Sequence, residues 1–148
     1  MDKELDIFID FLRERNLKLT SQREDILKVF LKIDKHLSVE ELYDIVKKKN
    51  PRIGQATVFR TLKLLREAGF AGEVNLGDRC IRYEYKYGHK HHDHLICIEC
   101  GRCIEVVDPK IEELQQILCK REGFSPQKHK MEIFGLCKAC RKGSRKAK

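Results

Sequence analysis

Along the first 69 residues apolar side chains recur every three or four positions; the pattern then switches to alternation, and later to short apolar runs interrupted by cysteine and histidine. The first regime predicts four helices. In ELDIFIDFLRER, Leu5, Phe8, Ile9 and Leu12 share one helical face, and the segment ends at Asn16. A second helix is expected to open at Ser21, with Glu24 three residues on completing a capping box, and to bury Ile26, Leu27 and Phe30. A third opens at Ser38 with Glu41 in the same relation and stops at Asn50-Pro51. The fourth runs from about Gln55 to Ala68, with Val58, Leu62 and Leu65 inward and Gly69 as its stop. Gln55, Thr57, Phe59, Arg60 and Lys63 are left for its other faces.

After Gly69 the segment AGEVNL, a Gly77-Asp78 turn and RCIRYEYKY predict a β-hairpin in which Ile81, Tyr83, Tyr85 and Tyr87 alternate with polar residues. Several helices followed by a hairpin is the plan of a winged helix-turn-helix, whose fourth helix would enter a DNA major groove. A small helical domain with an ordinary polar surface fits the same pattern. From residue 94 onward HLICI and RCIEVV read as strands, Pro109 to Arg121 as an amphipathic helix using Ile111, Leu114, Ile117 and Leu118, and KHKMEIF as another strand. Asp108 before Pro109 is a good helix start. The fold class is therefore α+β, a winged helix-turn-helix followed by a second α/β module, joined near the polar stretch KYGHK at residues 86 to 90.

A chain of 148 residues, 41% apolar, has enough material for a core. It has no run near the roughly 20 apolar residues of a membrane span, and the acidic start MDKELD is unlike a secretion signal. A cytoplasmic location is expected. The net charge of +8 would suit a nucleic-acid partner, but five of those charges lie in the tail RKGSRKAK (141–148), which is expected to be disordered. Seven cysteines, four of them in CxxC pairs, point to thiols and metal before disulfides.

Cys97-x-x-Cys100 and Cys137-x-x-Cys140 can each turn two thiolates inward, giving the closed four-sulfur cage that Zn2+ favours as a structural ion. A redox dithiol would need only one pair, at a helix start. Cys103 extends the first pair to CxxCxxC without the ending of an iron–sulfur motif, and is read as spare; Cys80 and Cys119 are read as small core or half-buried residues. In His91-His92-Asp93-His94 an extended backbone puts His92 and His94 on one face and His91 and Asp93 on the other. Such nitrogen and oxygen donors suit Fe2+, Mn2+, Zn2+ or Co2+. Glu105, Glu112 and His129 lie in the same module, and His36 and Glu84 in the helical half; if either of those joins His92 and His94, a metal bridges the modules. A metal-dependent enzyme could use the same cluster, but no HExxH-type motif accompanies it.

The stretches LKLTSQR, SVEELYDIV, GQATVFRTLKLLREAGF, HHDHLICIECG and the closing CKAC, in that order from about Asn16 to Cys140, resemble the Fur family, metal-dependent repressors typified by the ferric uptake regulator. The resemblance implies a winged-helix DNA-binding domain (1–86), a metal-binding dimerisation domain (87–140), and a homodimer on a palindromic, A·T-rich double-stranded operator, with no membrane and no small-molecule substrate. It implies structural zinc at Cys97, Cys100, Cys137 and Cys140, a regulatory site of His36, Glu84, His92, His94 and Glu105, and a further site of His91, Asp93, Glu112 and His129. DNA contacts fall on Lys18, Arg23, Gln55, Thr57, Phe59, Arg60 and Lys63. Two departures stand out: Phe59 replaces the usual tyrosine, removing a hydroxyl, and the loop from Glu84 to His92 is one residue longer than in iron sensors. Family members sense iron, zinc, manganese, nickel or peroxide. Glutamate at 84 and 105, where peroxide sensors tend to carry aspartate, favours metal homeostasis, with Fe2+ ranked first and Zn2+ or Mn2+ as alternatives.

Overall fold

The helical spacing of the N-terminal half is realised, in a computed structural model that describes residues 2–144, as α1 (Asp2–Glu14), α2 (Ser21–Phe30), α3 (Val39–Lys49) and α4 (Gln55–Glu67). Their apolar stripes meet in one core, where Phe8, Leu12, Ile26, Leu42, Leu62 and Leu65 are fully buried. Each helix stops for a local reason. Asn16 takes φ 56° after α1, a left-handed conformation its short side chain tolerates, and Gly69 takes φ 82° after α4. Ser38 and Glu41 form the reciprocal capping box expected at α3. At α2 the expectation is corrected: the cap is Thr20, whose hydroxyl accepts from Arg23 N at 3.3 Å, and Glu24 pairs instead with Lys28 one turn on. Two adjacent hydroxyl residues both satisfy the sequence rule, and only Thr20 has the extended backbone a cap needs.

The hairpin forms a three-stranded sheet. β2 (Ala71–Asn75) and β3 (Ile81–Tyr85) pair antiparallel from Ala71↔Tyr85 to Asn75↔Ile81, and β1 (Leu37–Ser38) pairs with the other edge of β3. Two residues are too few to show an alternating pattern, so β1 was not foreseen. Tyr83 is buried, and the rings of Tyr85 and Tyr87 pack on Phe30 and Phe70 with centroids 6.4 and 4.9 Å apart. Ile81, beside the turn, is 50% exposed, so the alternating face is uncovered at that end.

In the second unit β4 (Asp93–Cys97) is flanked by β5 (Cys103–Val106), antiparallel, and by β6 (Glu132–Gly135), parallel. A parallel neighbour needs a crossover, and α5 (Pro109–Arg121) supplies it. Asp108 Oδ1 accepts from Lys110 N at 2.9 Å and Ile111 N at 3.2 Å, so this helix starts where the sequence placed it. Its apolar face is another matter: no residue of α5 is buried, and Leu114, Ile117 and Leu118 are exposed. The strand foreseen in KHKMEIF is confined to β6. A last helix, α6 (Lys138–Ser144), grows from the second CxxC turn, with Arg141 N bonded to Cys137 O at 2.9 Å. It carries regular structure into the first residues of the tail expected to be disordered; residues 145–148 lie outside the described residues.

By its contacts the chain divides into residues 1–75 with 79–89, and residues 76–78 with 90–148. Tyr87, placed beyond the expected boundary at 86, thus stays with the first unit through its packing on Phe70.

Candidate metal centres and nucleic-acid interface

The parallel pairing of β4 with β6 brings both CxxC segments to one end of the second sheet. Cys97 ends β4 opposite Gly135, and Cys137 follows β6 two residues later. Gly101 turns the first knuckle at φ 73°, its N–H bonded to Cys97 O at 2.9 Å. Sulfurs of Cys97, Cys100, Cys137 and Cys140 all lie within 4.8 Å of one another, with Cys100 and Cys137 3.8 Å apart. Backbone N–H groups of Cys100 and Cys137 point at the Cys97 sulfur and lower that thiol to about 6. The Cys140 thiol is pushed up, because it gives its proton to the sulfurs of Cys137 and Cys100. Four crowded sulfurs of which one ionises readily and another resists are a donor set that a tetrahedral dication completes, and the residues fit Zn2+.

On one face of the same sheet, His91, Asp93, Glu112 and His129 offer nitrogen and oxygen atoms within 4.8 Å of one another. His129 Nε2 lies 3.1 Å and His91 Nε2 3.4 Å from Glu112 Oε1, and His91 Nε2 lies 3.2 Å from Asp93 Oδ1. Asp93 is 2% exposed, its Oδ1 also accepting Met131 N at 3.1 Å. A carboxylate at that depth needs positive charge beside it, and this mixed set suits a divalent ion of intermediate softness.

The opposite face carries His92 and His94, ring centroids 5.0 Å apart. His94 stands across from Glu105 in the strand register, and His92 Nε2 is 3.7 Å from Glu105 Oε1. His92 Nδ1 lies 3.2 Å from Lys90 O. A carbonyl can only accept, so Nδ1 carries the proton and Nε2 is left as the donor for a metal, the orientation typical of ligating histidines.

In the first unit, the pairing Leu37↔Tyr83 sets His36 across from Glu84, and His36 Nε2 sits 3.0 Å from Glu84 Oε2. Gly72 is the register partner of Glu84, and a Cβ there would come within 3.2 Å of Glu84 Oε1. This glycine leaves room for the carboxylate. The sequence marked neither the β1 pairing nor the role of Gly72.

On α4, Val58, Thr61, Leu62 and Leu65 face the core, while Gln55, Phe59, Arg60 and Lys63 are exposed and Thr57 is half-buried. The Lys63 ammonium lies 4.8 Å from the Phe59 ring centroid. Gln55 and Phe59 share a groove of about 590 Å³ with Arg79, Cys80 and Ile81 of the wing, which places Arg79 on the same side as the helix. Sequence reasoning missed Arg79; its φ of 61° marks a tight turn. Lys18 is exposed on the loop before α2, and Arg23 donates to Lys18 O at 2.6 Å, so Arg23 holds that loop.

Residues 14–134 match the sequence profile of the Ferric uptake regulator family. The chain is 39% identical over 146 residues to the ferric uptake regulation protein of Campylobacter jejuni, covering 97% of this chain and 92% of that protein. It is 38% identical over 143 residues to the ferric uptake regulation protein of Bacillus subtilis, covering 95% and 96%. Among solved structures, the Helicobacter pylori ferric uptake regulator, described as having three functional metal-binding sites, superimposes with a TM-score of 0.77 at 32% identity, covering 88% of this chain and 86% of that one.

Proposed function

Since the chain belongs to the ferric uptake regulator family, we propose that it is a metal-responsive DNA-binding repressor that acts as a homodimer on operator DNA in the cytoplasm, by binding and not by catalysis, with Fe2+ as its regulatory metal. The observation that carries this reading is the separation of a closed four-cysteine group from the histidine-rich sets. Four sulfurs form a closed group with no open position, whereas the imidazoles and carboxylates stand apart in sets that could exchange a metal with solvent.

Cys97, Cys100, Cys137 and Cys140 hold structural Zn2+. His36 and Glu84 from the first unit, with His92, His94 and Glu105 from the second, hold the regulatory ion, and His91, Asp93, Glu112 and His129 hold a further one. A bound dication supplies the attraction that favours the DNA-competent arrangement of the two units. Because these ligands come from both units, their affinity for metal depends on that arrangement, and the difference in affinity sets the shift in population. A hundredfold gain in operator affinity needs ~2.7 kcal/mol of coupling.

The exposed face of α4 enters the major groove. Arg60 reads base edges and Phe59 packs against thymine methyls without the hydrogen bond a tyrosine could add. Gly54 offers α4 no side-chain cap, so the first amides of the helix are open to a phosphate. Lys18 and Arg79 add backbone or minor-groove contacts, and Arg23 fixes the loop that carries Lys18. Self-association uses the uncovered apolar face of α5.

Fluorescence anisotropy on operator-length duplex, run anaerobically with zinc kept at the cysteines, tests the assignment. Fe2+ should tighten binding by roughly a hundredfold, and His92→Ala should lose that response while keeping its fold. Activation by trace Zn2+ alone would make the protein a zinc sensor. A full response in His92→Ala would reject the ligand set.

A further inference from the structure

Cys103 is one of three cysteines that the four-sulfur group does not use. Its place in the sheet gives it another neighbourhood. In the β4–β5 register Cys103 opposes Ile96 and Glu105 opposes His94, so Cys103 and Glu105, two residues apart, project from β5 on the face that His94 occupies on β4. A ring nitrogen of His94 comes within 4.8 Å of the Cys103 sulfur, and one also comes within 4.8 Å of a Glu105 carboxylate oxygen. His92 Nε2 reaches Glu105 Oε1 at 3.7 Å on the same face. His94 thus lies within ligand distance of the Cys103 thiol on one side and of the Glu105 carboxylate on the other, with His92 beside Glu105.

A half-buried cysteine is often only a small apolar filler. At this position the neighbour diagonally across the strand pair is His94, close enough for the two to share an ion.

We propose that Cys103 is a thiolate ligand of the metal held by His92, His94 and Glu105, and that it biases this site against the hardest of its candidate ions, Mn2+. The proposal rests on the reading that those three residues hold the regulatory ion. On binding, the Cys103 S–H bond breaks, its proton passes to solvent and a sulfur–metal bond forms, with no change of oxidation state. Two nitrogens, one oxygen and one sulfur compose a four-coordinate set whose soft donor favours Fe2+, Co2+ and Zn2+ over Mn2+.

Co2+ is the probe. The full-length protein, anaerobic and with zinc retained at the four-cysteine group as checked by metal content, is titrated with Co2+ and followed by absorption. A sulfur-to-cobalt charge-transfer band in the near ultraviolet should rise with the first equivalent. It should vanish in Cys103→Ser and persist in Cys119→Ser, while visible ligand-field bands from the remaining donors survive in both. In competition, the preference of this site for Zn2+ over Mn2+ should fall by roughly tenfold in Cys103→Ser, the scale of loss when a ligand's support is removed. Co2+ binding without a sulfur band, or a band unchanged in Cys103→Ser, overturns the proposal and leaves the histidine site standing. A failure of Co2+ to bind anywhere outside the four cysteines overturns both. Retained zinc and an unchanged circular dichroism spectrum in Cys103→Ser separate loss of a ligand from loss of the fold.

Discussion

Thr20 and Ser21 show what a single residue decides. Both carry a hydroxyl at a helix start, yet only Thr20 bonds to the third amide of α2. Thr20→Ala should therefore cost about 1 kcal/mol, whereas Ser21→Ala should stay within about 0.5 kcal/mol. Hydrogen exchange of the α2 amides in the two variants checks this, and equal losses would mean the cap is shared. The cysteines were legible at this scale because two residues between thiols set a tight turn wherever it occurs, so CxxC carries its geometry with it. His92 and His94 were legible in the same way, since alternation on a strand needs no tertiary information. Gly72 and Arg79 were not, nor was the loop-holding bond of Arg23, which the sequence marks as a DNA contact. Their roles depend on Glu84 across the strand, on the groove beside α4 and on the carbonyl of Lys18, none of which is a local pattern.

At the scale of elements, α1 to α4 followed from apolar spacing and stop signals, because each has a face that the core covers. α5 obeyed the same spacing but has no fully buried residue, and Leu114, Ile117 and Leu118 stay exposed. Periodicity reports that a face will be covered and is silent on what covers it, which is why the helix was foreseen and its exposure was not. Leu114, 64% exposed in the middle of that face, is where a charge should act. Leu114→Glu should shift the protein from dimer to monomer in sedimentation velocity and weaken operator binding, because two half-sites must be engaged together. A dimer of unchanged affinity would move the interface elsewhere. β1 and α6 leave no pattern in the sequence, for opposite reasons. β1 is defined only by its partner β3, and α6 lies in a segment whose basic composition suggested a tail.

For the whole molecule, the two units differ in what holds them. The first has a continuous apolar core from α1 to the wing; the second has a three-stranded sheet, an uncovered helix and a cage of four sulfurs at the sheet's end. Stripping the structural zinc with a strong chelator should therefore raise hydrogen exchange across β4, β5 and β6 while α2 to α4 keep their protection. Uniform protection afterwards would show that the cage adds little to stability. Coupling of metal and operator through one protein is reciprocal: whatever factor the metal adds to DNA affinity, DNA must add to metal affinity. The most direct test is to measure Fe2+ affinity anaerobically, with and without saturating operator duplex, alongside the gain in operator affinity that Fe2+ produces. The same factor is expected in both directions, roughly a hundredfold, with its loss from both in His92→Ala. An Fe2+ affinity indifferent to DNA would contradict that coupling.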